Sequence, residues 1–157
     1  MISRLDIQLR YADSDQMGVI YHANYFSFYE QGRTKYLRDL GFEYSDVEKN
    51  GIIFPIRDVS GKFIKSIMYG EEIHLLTRVH KLTKVKTTYF HEIYNSEGEL
   101  KASGYTTVVC VDKITFKVIK MDERMPEIYD AYLKDSQKWE SFFMDGTLAL
   151  YRYKALN

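Results

Sequence analysis

Asn24-Tyr-Phe-Ser-Phe-Tyr-Glu-Gln-Gly-Arg-Thr-Lys-Tyr-Leu-Arg-Asp-Leu-Gly41 is the one long stretch of this chain with a helical apolar period. Tyr25, Phe26, Phe28, Tyr29, Tyr36, Leu37 and Leu40 fall on one stripe, and Glu30, Arg33, Arg38 and Asp39 fall elsewhere. Asn24 suits an N-cap, and Gly41 suits the left-handed residue that ends a helix. Gly32 sits inside the helix, where it costs about 1 kcal/mol relative to Ala. The compensation expected for it is close approach of the helix to a sheet.

On either side of this helix the period is that of strands. Leu5, Ile7, Leu9 and Tyr11 alternate with Asp6, Gln8 and Arg10, which predicts a strand with one buried face. Asp13-Ser-Asp-Gln16 and Gly18 break that pattern. Residues 44–49 predict a short turn of helix. After Gly51 the spacing predicts strands over 52–67, 72–82, 86–94, 100–112 and 118–121. Tyr69-Gly-Glu71 and Asn95-Ser-Glu-Gly98 are turns by composition. Thr106–Val111 is β-branched and apolar enough for a central strand. Pro126 opens a helix of about ten residues. One long helix serving about five consecutive, tightly connected strands predicts an α+β layer on an antiparallel sheet.

Composition bounds the rest. The chain has 157 residues, enough for one domain with its own core. Lys plus Arg is 22 and Asp plus Glu is 22, and no basic face announces itself, so nucleic acid is not an expected ligand. The single cysteine, Cys110, cannot close an internal disulfide. No apolar run approaches the roughly 18 residues of a membrane span, and the opening MISRLDIQLRY lacks the apolar core of a signal peptide. A cytoplasmic protein without an integral membrane segment is the expectation.

The chemistry concentrates in Tyr11-Ala-Asp-Ser-Asp-Gln-Met-Gly-Val-Ile-Tyr-His-Ala-Asn-Tyr25, between the first strand and the helix. Two carboxylates, a glycine and a histidine meet a helix N-terminus, which offers unpaired N–H donors and the positive end of a dipole. Such a place can hold a developing oxyanion, and a neighbouring carboxylate can attack a carbonyl or activate water. There is no G-x-S-x-G elbow, and Cys110 lies in a core-like strand. An Asp-rich loop before a helix also serves plain turn and capping chemistry, and the spacing alone does not separate the two.

The segment Asp13-Ser-Asp-Gln-Met-Gly-Val-Ile-Tyr-His-Ala-Asn-Tyr25 resembles the active-site signature of hotdog-fold acyl-CoA thioesterases of the 4-hydroxybenzoyl-CoA thioesterase type. It is most similar to the Tol-Pal-associated branch, and the resemblance continues through Glu30, Arg33 and Leu37 over roughly residues 3–135. The resemblance implies a hotdog fold, one long helix wrapped by an antiparallel sheet of about five strands. It implies hydrolysis of acyl-CoA without metal or cofactor, and the bulky residues beside the motif set the expectation of a short- to medium-chain or aromatic acyl group. By position, Asp15 matches the catalytic carboxylate, and His22 the residue whose backbone N–H faces the thioester oxygen. Tyr11 matches an aromatic residue lining the pocket. A thiolate with pKa near 8.5 leaves without a strong general acid, so one carboxylate, one water and one oxyanion hole suffice.

Further expectations attach to single residues. Asp13 reads as a loop organiser, and Glu30 as a partner of Arg33 or Thr34. Tyr25, with Phe26, Tyr29, Ile52, Ile53 and Phe54, is expected to wall a short acyl pocket. Lys62 and Lys65 are candidates for the coenzyme A phosphates, set against the more ordinary reading of surface lysines as solvated charge. The resemblance also implies a homodimer or homotetramer with the pocket between chains. Two departures stand out: Phe116 occupies a turn where many relatives carry a glycine, and residues 138–157 are an apolar extension beyond a 1–137 thioesterase domain. An acyl carrier protein thioesterase and a non-catalytic acyl-thioester-binding module are the alternative functions.

Overall fold

The computed structural model describes residues 1–144, with side chains described through residue 136. In chain order the strands are β1 (Ser3–Ile7), β2 (Ile52–Ile53), β3 (Ile56–Phe63), β4 (Ile73–Leu82), β5 (Lys86–Asn95), β6 (Leu100–Val109) and β7 (Val111–Asp112). The helices are α1 (Asn24–Asp39), α2 (Tyr44–Lys49), α3 (Met121–Arg124) and α4 (Pro126–Met144). Five strands form one antiparallel sheet in the order β1-β4-β5-β6-β3, and β2 pairs with β7 apart from it. A single long helix lying on such a sheet is the hotdog arrangement.

Sequence fixes how closely α1 lies on the sheet. A Cβ at Gly32 would come 2.4 Å from Thr77 Oγ1 and 2.5 Å from Leu75 Cδ2, so this position has no room for a side chain. At the other end Gly41 takes φ +92° and lets the chain leave the helix. The N-terminal half of α1 packs Tyr25, Phe28 and Tyr29 with Ile73, Leu75 and Ile93. The C-terminal half packs Tyr36 and Leu37 with Val47, Tyr89, Val108, Ile128 and Tyr132. Arg33 departs from expectation. It belongs to the buried stripe, 5% exposed, because it stands one turn from both Tyr29 and Tyr36.

Several boundaries differ from the sequence reading, each for a local reason. The first strand ends at Ile7, and Tyr11–Asp13 is a 3-10 turn that leaves Tyr11 79% exposed. Asn24 begins the helix rather than capping it, and its amide nitrogen donates to the Asp13 carbonyl at 2.8 Å. The expected 52–67 strand is broken by Pro55, which lacks an N–H for the ladder. Only Val118 of the 118–121 segment bridges, to Val111, and Met121 already starts α3. The helix from Pro126 runs 19 residues, beyond the ten expected. Phe116 adopts φ +53°, a left-handed conformation that explains why a glycine suits this turn. The 138–157 extension lies outside the described residues, apart from the helical backbone of 138–144.

The core under α1 contains a neutral histidine. His91 is fully buried, its Nδ1 meets Thr77 Oγ1 at 3.0 Å, and its ring stacks on Tyr29 at 4.5 Å. Burial, and secondarily the Arg33 guanidinium, pushes its pKa from 6.5 down to about 3. Between those values the unfolded chain binds a proton that the folded chain refuses. Stability is therefore complete above about 6.5 and is lost as the pH falls toward about 3. His91→Phe keeps the ring stack and removes the titration, so urea midpoints measured at pH 7 and pH 4.5 should differ less in the variant than in the parent.

Candidate active site

The loop between β1 and α1 is held by its first carboxylate. Asp13 is buried and accepts from Arg10 Nη2 at 2.6 Å and from the Arg10 backbone N–H at 2.8 Å. The hydrogen bond from Arg10 is the main reason that its pKa lies below the ordinary aspartate value. The Asp13 carbonyl accepts from the Tyr21 N–H at 2.8 Å as well as from Asn24. Asp13 thus ties the beginning of the loop to its end and to the helix entrance. It is a structural group, engaged on all sides.

Asp15 is placed differently. Its Oδ1 accepts from the Met17 N–H at 2.8 Å, a short turn that holds the carboxylate, while its backbone bonds to Val19 and Gly18. Gly18 takes φ +77° where that turn reverses. The returning strand is pinned by Ile20 N–H to the Ile67 carbonyl at 2.8 Å. Asp15 is only partly buried, and it borders a cavity of about 240 Å³ with His22, Tyr25, Phe63, Ile64 and Lys65.

This cavity lies at the entrance of α1. The N–H groups of Asn24, Tyr25 and Phe26 donate to Tyr21, His22 and Ala23, but those of His22 and Ala23 find no acceptor among the described residues. Of these two residues His22 lines the cavity together with Asp15, and an unengaged N–H at a helix entrance beside a carboxylate is an arrangement able to hold a developing oxyanion. The His22 ring is exposed and tilts against Tyr21 at 4.3 Å. Tyr25 is buried, with its ring edge-on to Phe63 at 4.9 Å, and burial raises its pKa above 10.0. It offers the cavity an apolar wall and a neutral hydroxyl.

Of the residues singled out in the sequence, the single chain brings together Asp15, His22, Tyr25 and Lys65. Lys65 also forms an ion pair with Glu99. Tyr11 stands outside, its ring edge-on to Tyr69 at 5.6 Å. Lys62 is exposed on β3, in register with Ser103 on the sheet face away from α1. Of the expected acyl walls, Tyr29 and Ile52 are sealed in the core, and Ile53 and Phe54 border a different cavity. Glu30 does not pair with Arg33; Thr34 donates its hydroxyl to the Glu30 backbone carbonyl at 3.0 Å. Phe63, Ile64 and Met17 were not legible as cavity residues, because their places depend on how the end of β3 folds back over the loop.

Residues 9–130 match the thioesterase-like superfamily, and the chain belongs to it. It is a thioester hydrolase, with the helix-entrance cavity as its candidate centre. Among relatives, it is 41% identical over 133 residues to the putative acyl-CoA thioesterase YneP of Bacillus subtilis, covering 85% of this chain and 96% of that protein. It is 27% identical over 114 residues to the acyl-CoA thioester hydrolase YbgC of Escherichia coli, covering 73% and 85%. In three dimensions it is similar to a DHNA-CoA thioesterase from Staphylococcus aureus, with TM-score 0.84, 39% identity, and coverage of 92% of this chain and 95% of that one.

Proposed function

We propose that the protein hydrolyses short- to medium-chain or aromatic acyl-CoA to the free acid and coenzyme A, with Asp15 as the working carboxylate. The observation that carries this reading is that Asp15 lines the same cavity as His22, whose backbone N–H is unengaged among the described residues. The thioester oxygen accepts from that N–H, and its carbon stands open to attack. Asp15 either removes a proton from the attacking water or attacks directly, giving an anhydride that water opens. In both routes the C–S bond breaks, the sulfur leaves as thiolate, and water supplies the oxygen of the acid. Neither route needs a metal or cofactor.

The aromatic preference draws on the similarity to the Staphylococcus aureus enzyme and on the Tyr25 and Phe63 rings at the cavity. At 240 Å³ the cavity in one chain is below the usual 300–1,000 Å³ of ligand sites. All eight residues of the edge strand β3 are exposed, with Ile56, Val59 and Phe63 among them. An unpaired apolar edge beside an undersized cavity supports a homodimer, or a homotetramer built on it, whose second chain completes the site. Tyr11 and Lys62 keep a role only if the second chain brings substrate to them.

Thiol release from acetyl-, benzoyl- and palmitoyl-CoA tests the reading. Benzoyl- and acetyl-CoA should exceed palmitoyl-CoA in kcat/KM. Equal values along the series would remove the size argument, and no release from any substrate would leave only an acyl-binding module. Faster turnover of the same acyl group on an acyl carrier protein would reassign the carrier.

A further inference from the structure

Lys101 is the one buried lysine among the described residues, 7% exposed. Its place comes from a β-bulge in β6. Ile93 of β5 stands opposite Ala102 and Tyr94 opposite Leu100, so Lys101 between them has no partner on β5. A bulge bends its strand and re-aims a side chain. The Lys101 carbonyl accepts from the Ile64 N–H at 2.9 Å and from the Lys65 N–H at 3.0 Å, where the chain leaves β3. Both of those residues line the cavity at Asp15.

The Lys101 ammonium reaches the same cavity by a second route. It lies 2.9 Å from Glu71 Oε2 and 3.4 Å from Glu99 Oε2. Burial opposes its charge, but the two carboxylates, Glu71 foremost, outweigh that and hold its pKa above the usual 10.5. The other oxygen of Glu71 accepts from the Met68 N–H at 2.7 Å. Met68 bridges Val19, and the Ile67 carbonyl beside it accepts from the Ile20 N–H at 2.8 Å. The Val19 carbonyl in turn accepts from the Asp15 N–H at 2.8 Å. A continuous chain of contacts thus runs from a buried charge to the backbone of Asp15. The His22 end of the loop is held separately, by the bonds of Tyr21 and Asn24 to the Asp13 carbonyl.

We propose that Lys101 is a positioning residue, which through Glu71 and Met68 fixes where the Asp15 carboxylate stands against the thioester. This role rests on Asp15 as the working carboxylate. Its strength follows from charge balance. Lys65 and Lys101 face Glu71 and Glu99, two cations for two anions, with Lys65 on the second oxygen of Glu99. Without the ammonium between them, Glu71 and Glu99 are like charges that lose their shared partner, and Glu71 no longer has reason to stay on Met68. A base must stand within hydrogen-bond reach of its water, and a displacement of about 1 Å can cost on the order of 10²-fold in rate.

The test is kcat and KM for thiol release from benzoyl-CoA, with melting temperatures on the same samples and assays run well below them. Lys101→Met should lower kcat about tenfold or more and change KM by less than about twofold. Lys101→Arg, which keeps the charge, should hold kcat within about threefold of the parent. Glu71→Ala removes the clamp on Met68 at a half-buried side chain. It should show the same split and carries the test should Lys101→Met fail to fold. Placed on top of Asp15→Asn, either substitution should lower the remaining rate by less than about twofold, because it acts through a carboxylate that is no longer there. A folded Lys101→Met or Glu71→Ala with the parent's kcat, a rise in KM alone, or a full additional loss in the Asp15→Asn background overturns the proposal and leaves the reading of Asp15 standing. Asp15→Asn with the parent's kcat overturns both.

Discussion

Asp15→Asn should lower kcat by about 10²–10⁴ while leaving KM nearly unchanged. The amide keeps the shape of the carboxylate, and its oxygen can still accept from the Met17 N–H, so the turn survives. What disappears is the basic lone pair that takes the proton of water, or the nucleophile itself. The His22 N–H is untouched by the change, so on the proposed reading ground-state binding of the thioester is retained. A variant that lost KM and kcat together would instead mean that Asp15 shapes the cavity. Steady-state thiol release with benzoyl-CoA separates these outcomes.

Gly104→Ala should destabilise the fold by about 3 kcal/mol or more, from overpacking against atoms that cannot yield. The added Cβ would lie 2.2 Å from the Ser60 carbonyl oxygen of β3, and 2.7 Å and 2.9 Å from Tyr29 Cε2 and Oη. The first neighbour is backbone in a hydrogen-bonded strand, and the second is a fully buried ring stacked on His91. At this chain length that penalty lowers Tm by roughly 6–12 °C. Gly61 is paired with Gly104 in register and serves as the comparison. Its added Cβ would meet only the Phe26 and Phe63 rings, at 3.3 Å and 3.4 Å. Gly61→Ala should cost less than about 1 kcal/mol, and thermal denaturation of the two variants side by side checks the difference.

These glycines show how much of the fold the sequence discloses. Gly32 in a helical stripe points to close packing on a sheet, and Thr77 and Leu75 stand where its side chain would be. The helix, its end at Gly41 and the antiparallel sheet follow from period and punctuation, because those signals are local. Gly104 gives no such signal, since its constraint comes from β3 and α1, distant in sequence. Arg33 misled for the opposite reason: charge assigns it to the solvent face, whereas its spacing from Tyr29 and Tyr36 assigns it to the core. In the candidate site, Asp13 and Asp15 look alike by local pattern; the resemblance separates them by position, and the physical difference is the Arg10 guanidinium that engages Asp13. Phe63 and Ile64 join the cavity through the path of the chain after β3, which no pattern near the helix entrance encodes.

That difference between two neighbouring carboxylates supplies the most direct test of the account. Asp15→Asn and Asp13→Asn should be assayed together for thiol release from one thioester, with melting temperatures measured on the same samples. The account predicts that Asp15→Asn melts like the parent and loses about 10²–10⁴ in kcat, whereas Asp13→Asn melts earlier and keeps most of its turnover. A folded Asp15→Asn with the parent's kcat, beside a folded but inactive Asp13→Asn, would contradict it.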